Sequence, residues 1–410
     1  MNWRITWNAS PLVTLIALVP TFAPGSLPAR VNREVAPSQQ ADEINFVNPL
    51  LDYDWLNEGR PVRIRNDGLP SFGPNSFTAQ SYYEDNKYSV QMQRVPATVS
   101  DAPWLHHSLR LTTLIPGAPR PLDQGLLIYQ AFEGLTVGRL HWGSTLARPI
   151  SVGFWARASV AGEYAFAIQN LYPDPPKPPR HVPDRSFVAN FRLDAGHWKF
   201  VRIENIPGDT EGKWIASSHR PALQMGFTLE YPTAPATPGI VVGSDRKWVH
   251  GNALAGAGQV NLPEYPGATF EFTGIQWNIG PKLSNIRPIR HEHRELALMR
   301  RNFQKSYPEG VMIGTPAQPG GVSWRATKSG RYAAQIPVTF KAPLRTSAPR
   351  LVPYGQYSGR QHKISINGLD SEPAAIVPKG STGVVVTTAV RDWKVGDMVQ
   401  FQWTAEGPWM

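Results

Sequence analysis

The amino-acid sequence predicts an all-β protein with more than one domain. Proline and glycine occur 40 and 35 times in 410 residues, and both residue types interrupt helices and mark turns. Hydrophobic residues make up 41% of the chain and charged residues only 18%, so hydrophobic cores can form without covalent cross-links. Short apolar stretches bounded by turn residues recur along most of the chain, a pattern typical of β-sandwiches and barrels.

The strand pattern is clearest in Ser151–Ala158, where apolar and other side chains alternate. Tyr164–Asn170 follows after a short turn, and the two segments together predict a hairpin. We interpret Trp155 and Trp277 as core residues of their strands. The proline-rich segment 174–183 is expected to be an exposed loop. Further strands are predicted for SFVANFRL, KFVRIENI, LQMGFTLEY, ATFEFTGIQW, YAAQIPVTF, KISING, TGVVVTTAV and DMVQFQWTA.

One segment is predicted to be helical, Pro288–Gln304. Leu296, Met299 and Phe303 recur at helical spacing, and basic residues concentrate toward its end, as suits a helix C-terminus. We interpret it as a connector between two β-domains.

An apolar stretch near the N-terminus, Leu12–Val19, resembles the core of a secretory signal. It is shorter than the roughly 20 apolar residues that span a bilayer as a helix, so no membrane span is expected. We expect residues 1–43 to form an arm that docks onto a partner subunit. The alternative is that the arm folds back onto its own chain.

The composition excludes several kinds of chemistry. The chain has no cysteine, which excludes disulfides, zinc–thiolate sites and cysteine nucleophiles and favours folding in a reducing cytoplasm. The formal net charge is +10, which favours anionic surfaces. The basic residues are spread out and form no recognisable module, so no specific nucleic-acid partner is expected.

Several segments follow one another in a familiar order: Ile44–Gly59, Gln130–Leu135, His197–Trp214, Phe272–Pro281 and Val395–Trp409. Together they resemble a family of phage, prophage or gene-transfer-particle tail-fibre and spike proteins that carry a carbohydrate-binding-module-like jelly roll. The resemblance covers residues 44–410. The chain departs from the family pattern at 276–278 and 299–303, where the changes preserve shape more than charge.

The resemblance implies an all-β fold with a jelly-roll, galactose-binding-like β-sandwich, a short linking helix and a small C-terminal β-sandwich. The implied boundaries are 1–43 for the arm, 44–286 for the jelly roll, 287–310 for the helix and 311–410 for the C-terminal domain. It also implies a virion protein made in the bacterial cytoplasm, anchored by its arm to other virion proteins. We expect the chain to form a homo-oligomer, a trimer. This trimer is expected to attach the particle to host surface polysaccharide. The alternative is a purely structural decoration or adaptor without glycan binding.

Aromatic residues near turns are the candidate glycan contacts, because flat sugar faces stack on indole rings and loops often carry function. Sandwich loops collect at the ends, and the curved sheet face is expected to stay open. The candidates are Trp104, His106, His107, Arg139, His141, Trp142 and Trp214.

No catalytic residue is assigned, and we expect no enzyme activity. The carboxylates are scattered along the sequence, so it does not show whether any two converge as glycoside hydrolysis requires. His291 and His293 are two residues apart, which places them on different sides of a helix and argues against a metal site. No cofactor is expected. No EF-hand-like acidic loop is present, and a structural Ca²⁺ is left open.

Overall fold

The computed structural model of the chain describes residues 62–63, 71–72, 78–82, 89–117, 125–173, 181–182, 184–217, 221–230, 241–243, 245–283, 300–301, 303–308, 311 and 313–407. Within them the chain forms 28 strands, the short α-helix α1 (Gly134–Val137), two 3-10 turns, Gly138–Leu140 and Leu262–Glu264, and one further helical residue, Arg300. The all-β prediction is therefore confirmed.

In chain order the strands are β1 (Val62–Arg63), β2 (Ser71–Phe72), β3 (Thr78–Tyr82), β4 (Ser89–Pro96), β5 (His107–Ile115), β6 (Gly125–Glu133), β7 (Ile150–Ala158), β8 (Gly162–Asn170), β9 (Tyr172–Pro173), β10 (His181–Val182), β11 (Arg185–Leu193), β12 (Lys199–Ile206), β13 (Pro221–Glu230), β14 (Val241–Val242), β15 (Trp248–His250), β16 (Ala253–Ala255), β17 (Thr269–Ile279), β18 (Phe303–Lys305), β19 (Val322–Arg325), β20 (Gly330–Tyr332), β21 (Gln335–Thr339), β22 (Arg350–Gly355), β23 (Ile364–Ile366), β24 (Leu369–Ser371), β25 (Ala375–Pro378), β26 (Gly383–Thr387), β27 (Arg391–Trp393) and β28 (Met398–Glu406).

Two large sheets form the first sandwich. Sheet I has six strands in the order β1-β4-β5-β17-β7-β12, and sheet II has seven in the order β15-β11-β8-β13-β6-β3-β2. Their inner faces share one apolar core, in which the Phe154 ring of sheet I contacts Phe166 and Phe227 of sheet II at centroid distances of 5.6 and 4.9 Å. Alternation along each strand points one set of apolar side chains into this core.

The predicted hairpin of Ser151–Ala158 and Tyr164–Asn170 is wrong, although both segments are strands. Strand β7 pairs with β12 and β17 in sheet I, whereas β8 pairs with β11 and β13 in sheet II. The residues between them cross from one sheet to the other. A short connection between two alternating strands fits an arch between sheets as well as a hairpin, and the core contact between Phe154 and Phe166 favours the arch.

The outer face of sheet II is covered by a segment that we call the strap, residues 253–264. The small residues Ala165 and Ala167 on this face leave room for it, and Leu254 of the strap packs into the space. Gly256 allows the close approach, because a Cβ at this position would overlap the side chain of Asn190. All ten residues of β13 are buried, and Leu223, Met225, Phe227 and Leu229 among them face the core between the sheets. The expectation of an open sheet face therefore does not hold for this part of sheet II.

A second sandwich follows. Strand β28 pairs with β18, β19, β22 and β23, and a separate sheet has the order β21-β26-β25. Buried residues of both sheets, including Val338, Val386 and Phe401, share a second apolar core. The C-terminal β-sandwich is thus confirmed as an element of the fold.

A buried ion-pair cluster joins the two sandwiches. Glu133, at the end of β6, lies 2.8 Å from Arg345 and 3.0 Å from Arg301, both in the C-terminal part of the chain. Burial lowers the pKa of Arg345 to about 10, and the neighbouring Glu133 carboxylate opposes that shift. The cluster therefore ties the first sandwich to the second through charges that water screens little.

The predicted connecting helix falls mostly on residues 284–299, which lie outside the described residues. Arg300 is helical, but Phe303–Lys305 forms strand β18, so the helix does not reach Gln304 as predicted. All three residues of β18 are buried, and pairing with β28 overrides their helical spacing. The predicted domain boundaries stay a prediction, since those near 43 and 286 fall outside the described residues.

The ends of the proline-rich segment also differ from expectation. His181–Val182 pairs with Tyr172–Pro173, so two residues on each side of the loop form a short ladder. Residues 174–180 lie outside the described part of the chain.

Candidate functional site

Four of the predicted site residues lie at or near one end of the first sandwich. Arg139 belongs to the 3-10 turn Gly138–Leu140, and His141 ends that turn with a left-handed φ of 53°. Trp142 follows and is only 5% exposed, and its indole N–H donates to the carbonyl oxygen of Arg148 at 2.8 Å. The turn thus directs Trp142 inward and leaves His141 exposed.

Trp142, Trp214 and Trp248 form a cluster of three indoles, which we call the loop cluster. Their ring centroids lie 4.8 to 5.7 Å apart, and every pair is edge-to-face. Trp214 donates to Asp209 Oδ2 at 3.1 Å, and Trp248 donates to the carbonyl oxygen of Pro207 at 2.7 Å. Because each N–H has an internal acceptor and neighbouring indoles pack edge-to-face, the loop cluster is built as a packing unit.

A buried ion pair supports the loop cluster from beneath. Arg185 and Asp209 have side chains 7% and 1% exposed, and two guanidinium nitrogens reach the carboxylate at 2.7 and 3.0 Å. The hydrogen bond to Asp209 is the largest cause that raises the pKa of Arg185 above its ordinary value. The exposed Glu211 adds a second ion pair to Arg185 at 3.0 Å. Asp209 therefore joins Arg185 and Trp214 in one network.

A different aromatic surface lies on the outer face of sheet I. We call it the platform and define it by the residues that form it: Trp104, Trp155, Arg157, Trp198, Phe200 and Arg202. All except Arg202 are half-buried, and Arg202 is exposed.

The register of sheet I arranges the platform in cross-strand rows. Trp155 of β7 lies opposite Phe200 of β12, with ring centroids 5.3 Å apart. In the next row the guanidinium of Arg157 lies over the Trp198 ring at 4.8 Å. In the row beyond Phe200, Arg202 lies opposite Gly153. A side chain at Gly153 would collide with Phe200, so the glycine lets that ring extend across β7.

A buried carboxylate organises the polar part of this face. Glu271 of β17 is 3% exposed and lies between Arg110 of β5 and Arg157 of β7 in the register. Ser108 donates to one carboxylate oxygen at 2.7 Å, Arg157 donates to the other at 2.8 Å, and Arg110 lies 3.0 Å from the latter. Both oxygens are thus engaged, and the two arginines are held in place on the outer face.

Of the remaining predicted residues, Trp104 belongs to the platform, and His106 and His107 lie where strand β5 of sheet I begins. Trp104, with Trp155 and Trp198, packs against a small apolar cluster of the β4–β5 connection. His107 begins β5 and accepts a hydrogen bond at Nδ1 from Arg94 at 2.9 Å. His106 precedes the strand and is exposed. The structure therefore divides the seven candidates between two places, with Trp104, His106 and His107 near sheet I and the other four near the loop cluster.

Sequence reasoning missed most of the platform. Trp155 was interpreted as a core residue, but it lies on the outer face, whereas Trp277 is 1% exposed and does belong to the core. The missed signal was period-two alternation, which places Trp198, Phe200 and Arg202 on one face and Val201 and Ile203 on the other. Trp248 of the loop cluster was also missed.

Two searches of the described residues give negative findings. No group of three or more His, Asp or Glu residues in the described ranges could hold a metal ion. His291 and His293 lie outside those ranges. No helix in the part of the chain that the structure describes is long and apolar enough to cross a membrane.

The geometry defines an all-β protein whose first sandwich presents an aromatic and guanidinium surface on one sheet. No family model and no curated protein matches the chain. Among solved structures, the family 11 carbohydrate-binding module of Clostridium thermocellum, in complex with a β-1,3-1,4-mixed-linked tetrasaccharide, is 10% identical. The match covers 55% of this chain and 98% of that chain, with a TM-score of 0.27.

Two further solved structures are similar at the same low level. The tandem CBM22 domains of Paenibacillus barcinonensis Xyn10C are 9% identical, covering 87% of this chain and 92% of that chain at a TM-score of 0.24. The enzymatically active domain of bacteriophage CBA120 tailspike protein 4 is 8% identical, covering 56% of this chain and 22% of that chain at a TM-score of 0.25. At these scores the likeness says nothing about what this chain binds.

Proposed function

We propose that the chain is a glycan-binding protein without catalytic activity and that the platform is its binding surface. The observation that supports this most strongly is the cross-strand arrangement of half-buried Trp155, Trp198 and Phe200 with Arg157 and Arg202 between and beside them. Aromatic faces hold the C–H faces of sugar rings, and adjacent guanidinium groups donate to hydroxyls.

The shape of the surface favours an extended chain over a small ligand. Successive rows along a strand are separated by two residues, about 6.6 Å, which is on the scale of one sugar ring.

Removing the platform aromatics is expected to weaken glycan binding while leaving the fold intact. Trp155→Ala and Trp198→Ala should each weaken binding about tenfold, equivalent to about 1.4 kcal/mol, and the double variant should weaken it further. Binding is measured by glycan array and then by titration calorimetry with the glycans that bind. Trp324→Ala, which removes a half-buried tryptophan of the second sandwich, is the matched control and should bind normally.

Two results would contradict this proposal. If the wild-type protein binds no glycan on the array or on whole cells, the glycan-binding function fails and the decoration role takes its place. If glycans bind but the folded double variant binds them equally well, the platform is not the site, and the loop cluster with Arg139 and His141 becomes the alternative.

The wider role that we propose is that of a virion protein, a peripheral fibre or spike that attaches the particle to host surface polysaccharide. The resemblance of residues 44–410 to tail-fibre and spike proteins supports this role, and we propose a homotrimer as its assembly. Cyclic packing would multiply weak sites, and multivalent display can raise effective affinity on the order of a hundredfold.

Deleting residues 2–40 tests the proposed anchoring arm. We expect the shortened protein to fold, because the described cores of both sandwiches lie after residue 89, and to be missing from purified particles. The measurement is the amount of the protein in particles, compared with the full chain expressed at the same level. Normal incorporation of the shortened chain would refute the anchoring role.

A further inference from the structure

The charges of the platform point to a ligand class that aromatic stacking alone does not specify. Three guanidinium groups, those of Arg110, Arg157 and Arg202, lie on the outer face of sheet I with two carboxylates, Glu271 and Glu204. Among these five described groups the positive charges exceed the negative charges by one. The positive groups are also more accessible than Glu271. Glu271 is buried and has both oxygens engaged, whereas the Arg202 side chain is 54% exposed.

A ligand on this face would thus meet mainly guanidinium N–H groups. Arg157 uses one of its donors on Glu271 and is stacked on Trp198, and Arg202 lies over the Phe200 ring at 5.0 Å and only 3.5 Å from Glu204. Stacking on a ring leaves the in-plane edge of a guanidinium available for hydrogen bonds. The fork of N–H donors matches a carboxylate bidentately, and such charge-assisted bonds are the strong ones.

We propose that the platform selects acidic glycans, chains whose sugars carry carboxylates, an inference that rests on the proposed glycan-binding function. A sugar ring stacked on Trp155 has Arg157 two residues along the same face of β7 and, diagonally across on β12, Arg202 two residues beyond Phe200. At about 6.6 Å along the strand, both arginines are within reach of a carboxylate on that ring or on its neighbour. The overall charge of +10 adds a weaker attraction of longer range, which salt screens.

The test uses an array that presents uronic-acid and sialic-acid glycans beside neutral chains. Each acidic glycan that binds is measured again after chemical reduction of its carboxylates to alcohols, which removes the charge and keeps the backbone. We expect the bound glycans to be predominantly acidic and reduction to weaken binding at least tenfold. Arg202→Gln should weaken binding of the acidic form about tenfold, and the loss should shrink for the reduced form.

Arg331→Gln is the matched control, because it removes the same charge from an exposed arginine of the second sandwich. We expect it to bind like the wild type, which separates a local contact from the effect of net charge. If reduction leaves affinity unchanged, or Arg331→Gln weakens binding as much as Arg202→Gln, the selectivity for acidic sugars is overturned. The glycan-binding function would still stand in that case, provided that Trp155→Ala and Trp198→Ala remain defective.

Discussion

Asp209→Ala is expected to lower the free energy of unfolding by about 3–5 kcal/mol. The substitution leaves the Arg185 guanidinium, 7% exposed, without its bidentate partner, and the remaining Glu211 is exposed to water. It also removes the carboxylate acceptor of the Trp214 indole, so the loop cluster loses one of its fixed hydrogen bonds. A buried charge that has lost its partner is far more costly than the intact pair is favourable.

Chemical denaturation with tryptophan fluorescence measures this change. Glu211→Ala is the matched control: it removes the second carboxylate partner of Arg185, but that carboxylate is 62% exposed, so a loss of about 0.5 kcal/mol or less is expected. Equal losses in the two variants would show that the Arg185–Asp209 pair is not the support of the loop cluster. We also expect Asp209→Ala to leave the tryptophans of the platform unaffected, because none of them touches this network.

The second large effect concerns Glu230, which lies 1% exposed at the end of β13. Burial, reinforced by the nearby charge of Glu264 in the strap, raises the pKa of Glu230 to about 8. In the unfolded chain this carboxyl has its ordinary pKa of 4.5, so between pH 4.5 and 8 the folded state holds a proton that the unfolded state releases. Stability contributed by this group is therefore complete below pH 4.5 and declines as pH rises, by about 1.4 kcal/mol per pH unit until about pH 8.

Glu230→Gln keeps the shape of the neutral acid and removes its titration. We expect the variant to be more stable than the wild type at pH 8 by several kcal/mol and to match it closely at pH 4.5. The measurement is the difference in unfolding free energy between the two proteins from pH 4.5 to 8.5. Glu372→Gln, at an exposed position, is the control and should retain the wild-type decline. A difference that does not change with pH would refute the protonated state of Glu230.

The strands show how far local pattern reaches. Ser151–Ala158 and Tyr164–Asn170 were predicted as strands because apolar and other side chains alternate along them, and both are strands. Their pairing was predicted wrongly because a hairpin and an arch have the same local pattern. Phe303 and Gln304 were predicted as the end of a helix, since Phe303 continues the helical spacing of Leu296 and Met299, but the local sequence does not reveal that this segment pairs with β28.

For the candidate site, too, the sequence predicted some features and the folded structure was needed for the others. Trp142 and Trp214 were correctly identified as residues beside turns, yet their N–H acceptors, Arg148 and Asp209, are known only from the folded chain. Trp155 and Phe200 are 45 positions apart, and only the register of β7 with β12 makes them neighbours. Both side chains are half-buried on the outer face of sheet I, whereas the strap covers part of the outer face of sheet II.

By itself the sequence determined that this protein is all-β and identified strands such as Ser151–Ala158 and Tyr164–Asn170, because those properties depend on periodicity over a few residues. Only the tertiary structure decided which strands pair and which outer face the strap covers. It also decided which aromatic and charged residues meet on the platform. Those properties depend on contacts between distant parts of the chain: the small side chains of Ala165 and Ala167 leave room for the strap, and Gly153 leaves room for Phe200.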